Sequence, residues 1–143
     1  MKILAGTCVA VDGNAVLLRG PSGAGKSDLA LRLIEDGAVL VADDQTALHV
    51  SDGALTASAP ETIRGMLEVR GLGILRMAYT GNIPLVAVIE LVPRGKIERM
   101  PEPETTEILG CELPVFRLFA FDASAPMKVR LALRLATGNS TAV

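Results

Sequence analysis

An eight-residue stretch near the start of the chain combines glycines, a lysine and a serine in a pattern suited to binding phosphate groups. It reads Gly20, Pro21, Ser22, Gly23, Ala24, Gly25, Lys26 and Ser27. Its glycines can adopt conformations closed to other residues, so that successive backbone N–H groups converge on phosphate oxygens. Lys26 would contact the β- and γ-phosphates, and the Ser27 hydroxyl would bind a nucleotide-borne Mg²⁺. The pattern predicts a phosphate-binding P-loop for a nucleoside triphosphate.

Acidic and basic residues elsewhere in the chain could complete a phosphoryl-transfer site. Asp43 and Asp44 follow an apolar segment, where they would lie near the γ-phosphate if that strand neighbours the strand before the loop. Glu68 precedes a glycine-containing turn and could be a second magnesium ligand or an exposed strand residue. Arg70 and Arg99 could neutralise phosphate charge or be solvated surface arginines.

The segments around the glycine-rich stretch have the periodicity that a phosphate loop requires. Residues 15–19 form a short apolar run typical of a buried strand, and a two-residue Asp12-Gly13 turn joins them to an earlier strand. After the stretch, apolar residues repeat with helical spacing until Gly37, which predicts an amphipathic helix. The strand, loop and helix are therefore all expected here.

Further along, short apolar runs outnumber helical patterns. We predict strands over 38–42, 47–50, 54–57, 66–69, 85–91 and 113–119, and a closing helix over 127–136. About seven strands against two helices indicate an α/β domain with a mixed, largely antiparallel sheet. The polar, proline-containing stretch 93–110 is the best candidate for a mobile loop, and we expect its part from Arg94 to Gly110 to close over an acceptor.

Length and composition narrow the function classes. The 143 residues are expected to form one domain, 1–143, with a 50% hydrophobic share. A net charge of −2 and the absence of Trp argue against a nucleic-acid partner. The apolar runs are too short to cross a bilayer, and the two cysteines are expected to be reduced. We therefore expect a cytoplasmic protein.

Four segments, taken together and in order, resemble the HPr kinase/phosphorylase family. They are Gly-Pro-Ser-Gly-Ala-Gly-Lys-Ser at 20–27, Leu-Val-Ala-Asp-Asp at 40–44, Leu-Glu-Val-Arg-Gly-Leu-Gly-Ile at 67–74 and Glu-Thr-Thr-Glu-Ile-Leu-Gly at 104–110. The third is the most specific, because many proteins share a phosphate loop. The resemblance covers about residues 5–114 and only the catalytic domain of the family, so we expect a short form without the N-terminal domain of longer members.

This resemblance implies a fold similar to phosphoenolpyruvate carboxykinases and a reversible reaction. The kinase direction moves the γ-phosphate of ATP to a serine of HPr or a similar phosphocarrier protein. The reverse direction uses inorganic phosphate and makes pyrophosphate. Longer relatives form ring-shaped homo-oligomers, which makes self-association an expectation here too.

The resemblance also implies roles for individual residues. Lys26 contacts phosphates, while Ser27 and Glu68 bind Mg²⁺. Asp44 exchanges a proton with the acceptor serine, Arg99 assists phosphoryl transfer, and Asp43 stands beside the base with a less defined role.

Two departures from the family pattern bear on the direction of the reaction. Ala5 stands where the family has a histidine, and the family's Arg-Pro-Gly-Arg-Asn stretch, linked to dephosphorylation, has no counterpart in residues 119–125. Kinase activity is therefore predicted over phosphorolysis. Two alternatives stay open: a non-catalytic nucleotide-binding regulatory module, and a P-loop kinase of a small hydroxylated metabolite.

Overall fold

A nine-stranded sheet with two α-helices on one of its faces forms most of the molecule. The computed structural model describes residues 1–143, the whole chain. The helices are Lys26–Glu35 (α1) and Ala125–Ala136 (α2). The strands are Lys2–Ala5 (β1), Thr7–Val11 (β2), Asn14–Arg19 (β3), Val39–Ala42 (β4), Gln45–Ser51 (β5), Ala54–Ser58 (β6), Met66–Val69 (β7), Gly73–Arg76 (β8), Ile83–Leu91 (β9), Glu104–Ile108 (β10) and Cys111–Leu118 (β11).

The strand order makes β9 the centre of the sheet. The path runs β1-β5-β6-β9-β3-β2-β4, with β11 also pairing with β9 and β10 with β11, while β7 and β8 form a separate hairpin. β9 is parallel to β3 and to β11, and the other pairings are antiparallel. The predicted α/β class with a mixed, largely antiparallel sheet is confirmed.

Both faces of the central strands are buried, which explains their continuous apolar sequences. Along β2 and β3, alternate side chains enter two separate cores. Val9 and Val16 belong to the core beneath α1 and α2. Cys8 and Leu17 belong to a second core on the other face, where β4, β5, β6, β10 and β11 contribute side chains.

Two strands, β8 and β10, were not predicted, and β1 was not separated from β2 in the one strand expected over 1–11. Each difference has a local cause. β1 is separated from β2 by Gly6, which lies so close to Leu17 that an added Cβ would be 2.8 Å from Leu17 Cδ1. β8 is exposed along its whole length and so has no apolar alternation. β10 begins directly after Pro103, so the prolines end before the strand begins.

The prediction of a mobile loop over 93–110 is therefore largely wrong. Arg94–Lys96 forms a 3-10 turn. Residues 104–108 are paired with β11 through a hairpin at Leu109-Gly110. Only the short stretch 97–103 lacks regular structure. None of the helices is both long enough and apolar enough to span a bilayer.

The two cysteines should differ sharply in reactivity. Both cysteines are free thiols. Cys8 is fully buried in β2, and this burial raises the pKa of its thiol, whereas Cys111 is only half-buried. Because the thiolate is the reacting species, we expect a maleimide to label only Cys111 in the native protein and both cysteines in urea, as counted by intact mass. Native labelling of Cys8 at the rate of Cys111 would contradict the buried position of β2.

Candidate active site

The glycine-rich loop, Gly20–Ser27, follows β3 and includes the first two residues of α1, and its backbone turns sharply at the glycines. Gly23 and Gly25 have φ values of 85° and 100°, in the left-handed region that glycine adopts most easily. Gly25 precedes the first helical residue, and no side chain caps the helix. The first N–H groups of α1 are therefore available to an anion.

Lys26 lies over this loop. Its Nζ donates hydrogen bonds to the backbone carbonyl of Gly20, at 2.6 Å, and to that of Pro21, at 3.2 Å. The ammonium group is thus held against the backbone at the start of the loop. Positive charge and free N–H groups therefore occupy one small region, the arrangement that a polyphosphate needs.

Asp43 is the organising residue beside the loop. Its Oδ1 accepts hydrogen bonds from Ser27 Oγ at 2.7 Å and from Thr7 Oγ1 at 3.0 Å, and its Oδ2 accepts one from the backbone N–H of Glu68 at 3.0 Å. Asp43 is buried. One carboxylate thus joins α1, β2, β4 and β7.

The route by which Asp43 reaches the loop differs from the one expected. β4 does not neighbour β3: it pairs with β2, which lies between them. The contact with Ser27 forms because α1 packs across β2 and β4. Asp43 therefore lies beside the loop, although the adjacency of β4 and β3 on which the prediction depended is wrong.

Asp44 differs from its neighbour in conformation and exposure. Its φ of 67° is left-handed, a conformation that Asp tolerates better than most residues. Its backbone N–H donates to Thr7 Oγ1 at 3.2 Å, and its carbonyl accepts from the N–H of Gly6 at 2.8 Å. The backbone is therefore fixed on both sides, while the carboxylate faces solvent without a protein partner.

The remaining predicted residues are less closely associated with the loop. Glu68 lies on β7 with an exposed side chain, and its backbone places it next to Asp43. Arg70 and Arg99 are exposed, and neither makes a side-chain hydrogen bond or ion pair. The structure thus brings together Ser27, Asp43 and Glu68, whereas no contact links Arg99 to them.

Thr7 is a site residue that sequence reasoning missed. Its side chain is fully buried and contacts both Asp43 and the backbone of Asp44. The available signal was a polar residue at the start of the apolar run 7–11, since buried hydroxyl groups need hydrogen-bond partners. Because threonine is common in strands, that signal carried little weight.

The oxygen donors present fit a metal ion that arrives with a nucleotide. No group of three or more His, Cys, Asp or Glu side chains is arranged to hold a metal by itself. Mg²⁺ commonly binds through one or two protein oxygens and completes its octahedron with phosphates and water. The hydroxyl of Ser27 and the carboxylate of Glu68 suit that mode, and Asp43 orients the hydroxyl of Ser27.

Comparison with known proteins bears out the resemblance. The family model described as "HPr Serine kinase C-terminal domain" matches residues 1–119. The chain belongs to this family. Among curated HPr kinase/phosphorylases, it is 40% identical over 121 residues to that of Caldicellulosiruptor bescii and 41% identical over 121 residues to that of Geobacillus kaustophilus, covering 76% of this chain and 39% of the relative in each case. It therefore spans about two fifths of these HPr kinase/phosphorylases.

A solved member of the family matches at the level of the fold. This is the Hpr(Ser) kinase/phosphatase from Coxiella burnetii, with a TM-score of 0.86 and 25% identity. The match covers 97% of this chain and 98% of that one. The sheet and helices described above are thus those of an HPr kinase structure.

Proposed function

We propose that residues 1–143 form one catalytic domain of an ATP- and Mg²⁺-dependent protein serine kinase whose acceptor is an HPr-like phosphocarrier protein. The observation that carries the proposal is the 2.7 Å hydrogen bond from Ser27 to Asp43, which links the glycine-rich loop to the acidic residues. A phosphate held by the loop would have carboxylates beside its terminal end. The family relatives supply the acceptor class, since their names specify HPr.

In this proposal the loop is a P-loop that binds and orients the triphosphate of ATP. The N–H groups at the start of α1 bind phosphate oxygens, and Lys26 exchanges its two carbonyl partners for the β- and γ-phosphates. Ser27 and Glu68 would hold Mg²⁺, with Asp43 fixing the hydroxyl of Ser27. When bound, Mg²⁺ supplies charge neutralisation for the phosphoryl group.

Asp44 is the group proposed to take the proton. Its exposed carboxylate accepts the proton of the acceptor serine as that oxygen forms a bond to the γ-phosphorus. The bond from the γ-phosphorus to the bridging oxygen breaks, and ADP leaves. Arg99, on the irregular stretch 97–103, would approach to neutralise the transferred group.

Several finer expectations belong to the same proposal. Its direction is the kinase direction, because Ala5, paired with Gln45 next to the acidic residues, cannot act as a histidine would. The phosphorolytic use of phosphate to make pyrophosphate is not proposed. The fold relationship to phosphoenolpyruvate carboxykinases and self-association rest on the family resemblance. The expected cytoplasmic location rests on the short apolar runs and on the two cysteines, which are free.

The test is transfer of labelled phosphate from ATP to a purified HPr-like carrier, followed by mass spectrometry of the carrier. We expect a phosphoserine, Mg²⁺ dependence, and a loss of about 10²–10³-fold in rate for Lys26→Ala, because a charged donor to the transferring group is removed. Lys2→Ala, which removes an exposed lysine on β1, is the matched control and should transfer normally.

Other outcomes identify the competing functions. ATP binding without transfer to any acceptor would indicate a nucleotide-binding regulatory module. Transfer to a small hydroxylated compound, with none to the carrier, would indicate a metabolite kinase. Either result overturns the proposed kinase.

A further inference from the structure

An aromatic side chain is exposed to solvent beside the last glycine of the loop. Phe121 is 54% exposed, although Ala120 directly before it is buried in the core. A Cβ placed on Gly25 would lie 2.9 Å from Phe121 Cζ, so the ring stands directly against the loop backbone. The exposed face of this ring, next to the loop, is available to a planar ligand.

The segment that carries Phe121 is fixed rather than loose. Arg32 of α1 donates hydrogen bonds to the carbonyl groups of Ala120 and Asp122. The Phe119 ring packs edge-on against Phe121, with centroids 5.7 Å apart and planes at 71°. The exposed ring therefore has a defined orientation before any ligand binds.

A charged contact reinforces the same segment. The Arg94 guanidinium lies 4.6 Å from the centroid of Phe119 and forms a 2.6 Å ion pair with Asp122. This clamp ties the segment to the 3-10 turn after β9. Preorganisation of this kind lowers the entropic cost of binding a planar group.

The topology places this aromatic segment and the acidic residues on opposite flanks of the loop. β3, which leads into the loop, lies between β2 and β9. Asp43 follows β4 on the β2 side, whereas Phe121 follows β11 on the β9 side. A nucleotide with its γ-phosphate at the acidic residues would extend its nucleoside end towards Phe121.

We propose that Phe121 is a stacking platform for the base of the nucleoside triphosphate. This inference rests on the proposed function, because it takes ATP as the ligand of the loop. Stacking on a single aromatic face uses the π-surface that every base has, so the subsite should tolerate different bases. Phosphates would be held by the loop alone.

The test compares the binding of ATP with that of inorganic tripolyphosphate by titration calorimetry. Phe121→Ala should weaken ATP binding by about 5- to 100-fold, because stacking contributes this much per base. Tripolyphosphate, which has no base, should bind equally to both proteins. Phe121→Trp keeps an aromatic ring and should bind ATP as tightly as the wild type. Leu131→Ala, at a half-exposed leucine of α2, should change neither the dissociation constant of ATP nor that of tripolyphosphate.

Four results would overturn the stacking platform. Unchanged ATP binding in Phe121→Ala would show that the base lies elsewhere. Equal weakening of ATP and tripolyphosphate would show that Phe121 supports the loop and does not contact the base. If the wild-type protein binds tripolyphosphate as tightly as ATP, the base adds no affinity, and the stacking platform fails while the assignment of the phosphate loop is kept. If the wild-type protein binds neither ligand, the proposed kinase function fails as well.

Discussion

Asp44→Asn is expected to lower phosphoryl transfer by about 10²–10⁴-fold while changing ATP affinity little. A positioned general base contributes an effect of this size, and asparagine cannot accept the proton. The substitution suits the site, because asparagine tolerates the left-handed backbone that Asp44 adopts at φ 67°. Single-turnover transfer to the carrier and equilibrium binding of ATP measure the two quantities separately.

A matched control for this variant exists elsewhere in the chain. Asp52, in the turn between β5 and β6, is also exposed and also has a left-handed φ, of 53°. Asp52→Asn makes the same chemical change in the same backbone conformation and should transfer at the wild-type rate. If Asp44→Asn transfers as fast as Asp52→Asn, then Asp44 is not the base.

Asp43→Ala is expected to lower the free energy of unfolding by about 3–5 kcal/mol. The change leaves the hydroxyls of Thr7 and Ser27 and the backbone N–H of Glu68 without their shared acceptor, and hydrogen bonds to a charged group contribute about 1.5–3 kcal/mol each. Solvent and relaxation offset part of the sum. Urea unfolding followed by circular dichroism measures the loss.

Two companion variants make the stability result interpretable. Asp43→Asn keeps one acceptor oxygen, so its free energy of unfolding should fall by less than that of Asp43→Ala. If the alanine variant does not fold, the asparagine variant is expected to fold and can be measured in its place. Glu112→Ala removes an exposed carboxylate of β11 and should stay within about 0.5 kcal/mol of the wild type. Equal urea midpoints for Asp43→Ala and Glu112→Ala would refute the organising role of Asp43.

Local sequence signals predicted the part of the site that is built locally. The β2–β3 hairpin, the glycine-rich loop and α1 are contiguous, so turn residues and periodicity within the stretch 7–37 sufficed to place them. The strands predicted over 47–50 and 54–57 are likewise close in sequence, and they pair as a hairpin around Asp52. In each case the interactions that specify the structure lie within a few residues of one another.

Long-range packing accounts for what sequence reasoning could not resolve. Asp43 and Asp44 are adjacent and chemically identical, yet one is buried and bonded while the other is exposed. That difference depends on Thr7 and Glu68, which are distant in sequence. The pairing of β10 with β11 likewise depends on a partner strand, and the prolines before it masked the strand.

The parallel pairing of β3 with β9 has a consequence for biosynthesis. The residues so joined, such as Leu18 and Ile89, are about seventy positions apart. A chain emerging from the ribosome can close the early hairpin and wind its first helix, but one edge of β3 stays unpaired until residues 83–91 have appeared. Contacts so far apart in sequence form slowly. The strand that leads into the glycine-rich loop is therefore fully paired only late in folding. Nascent chains that end before β9 should not be stabilised by nucleotide.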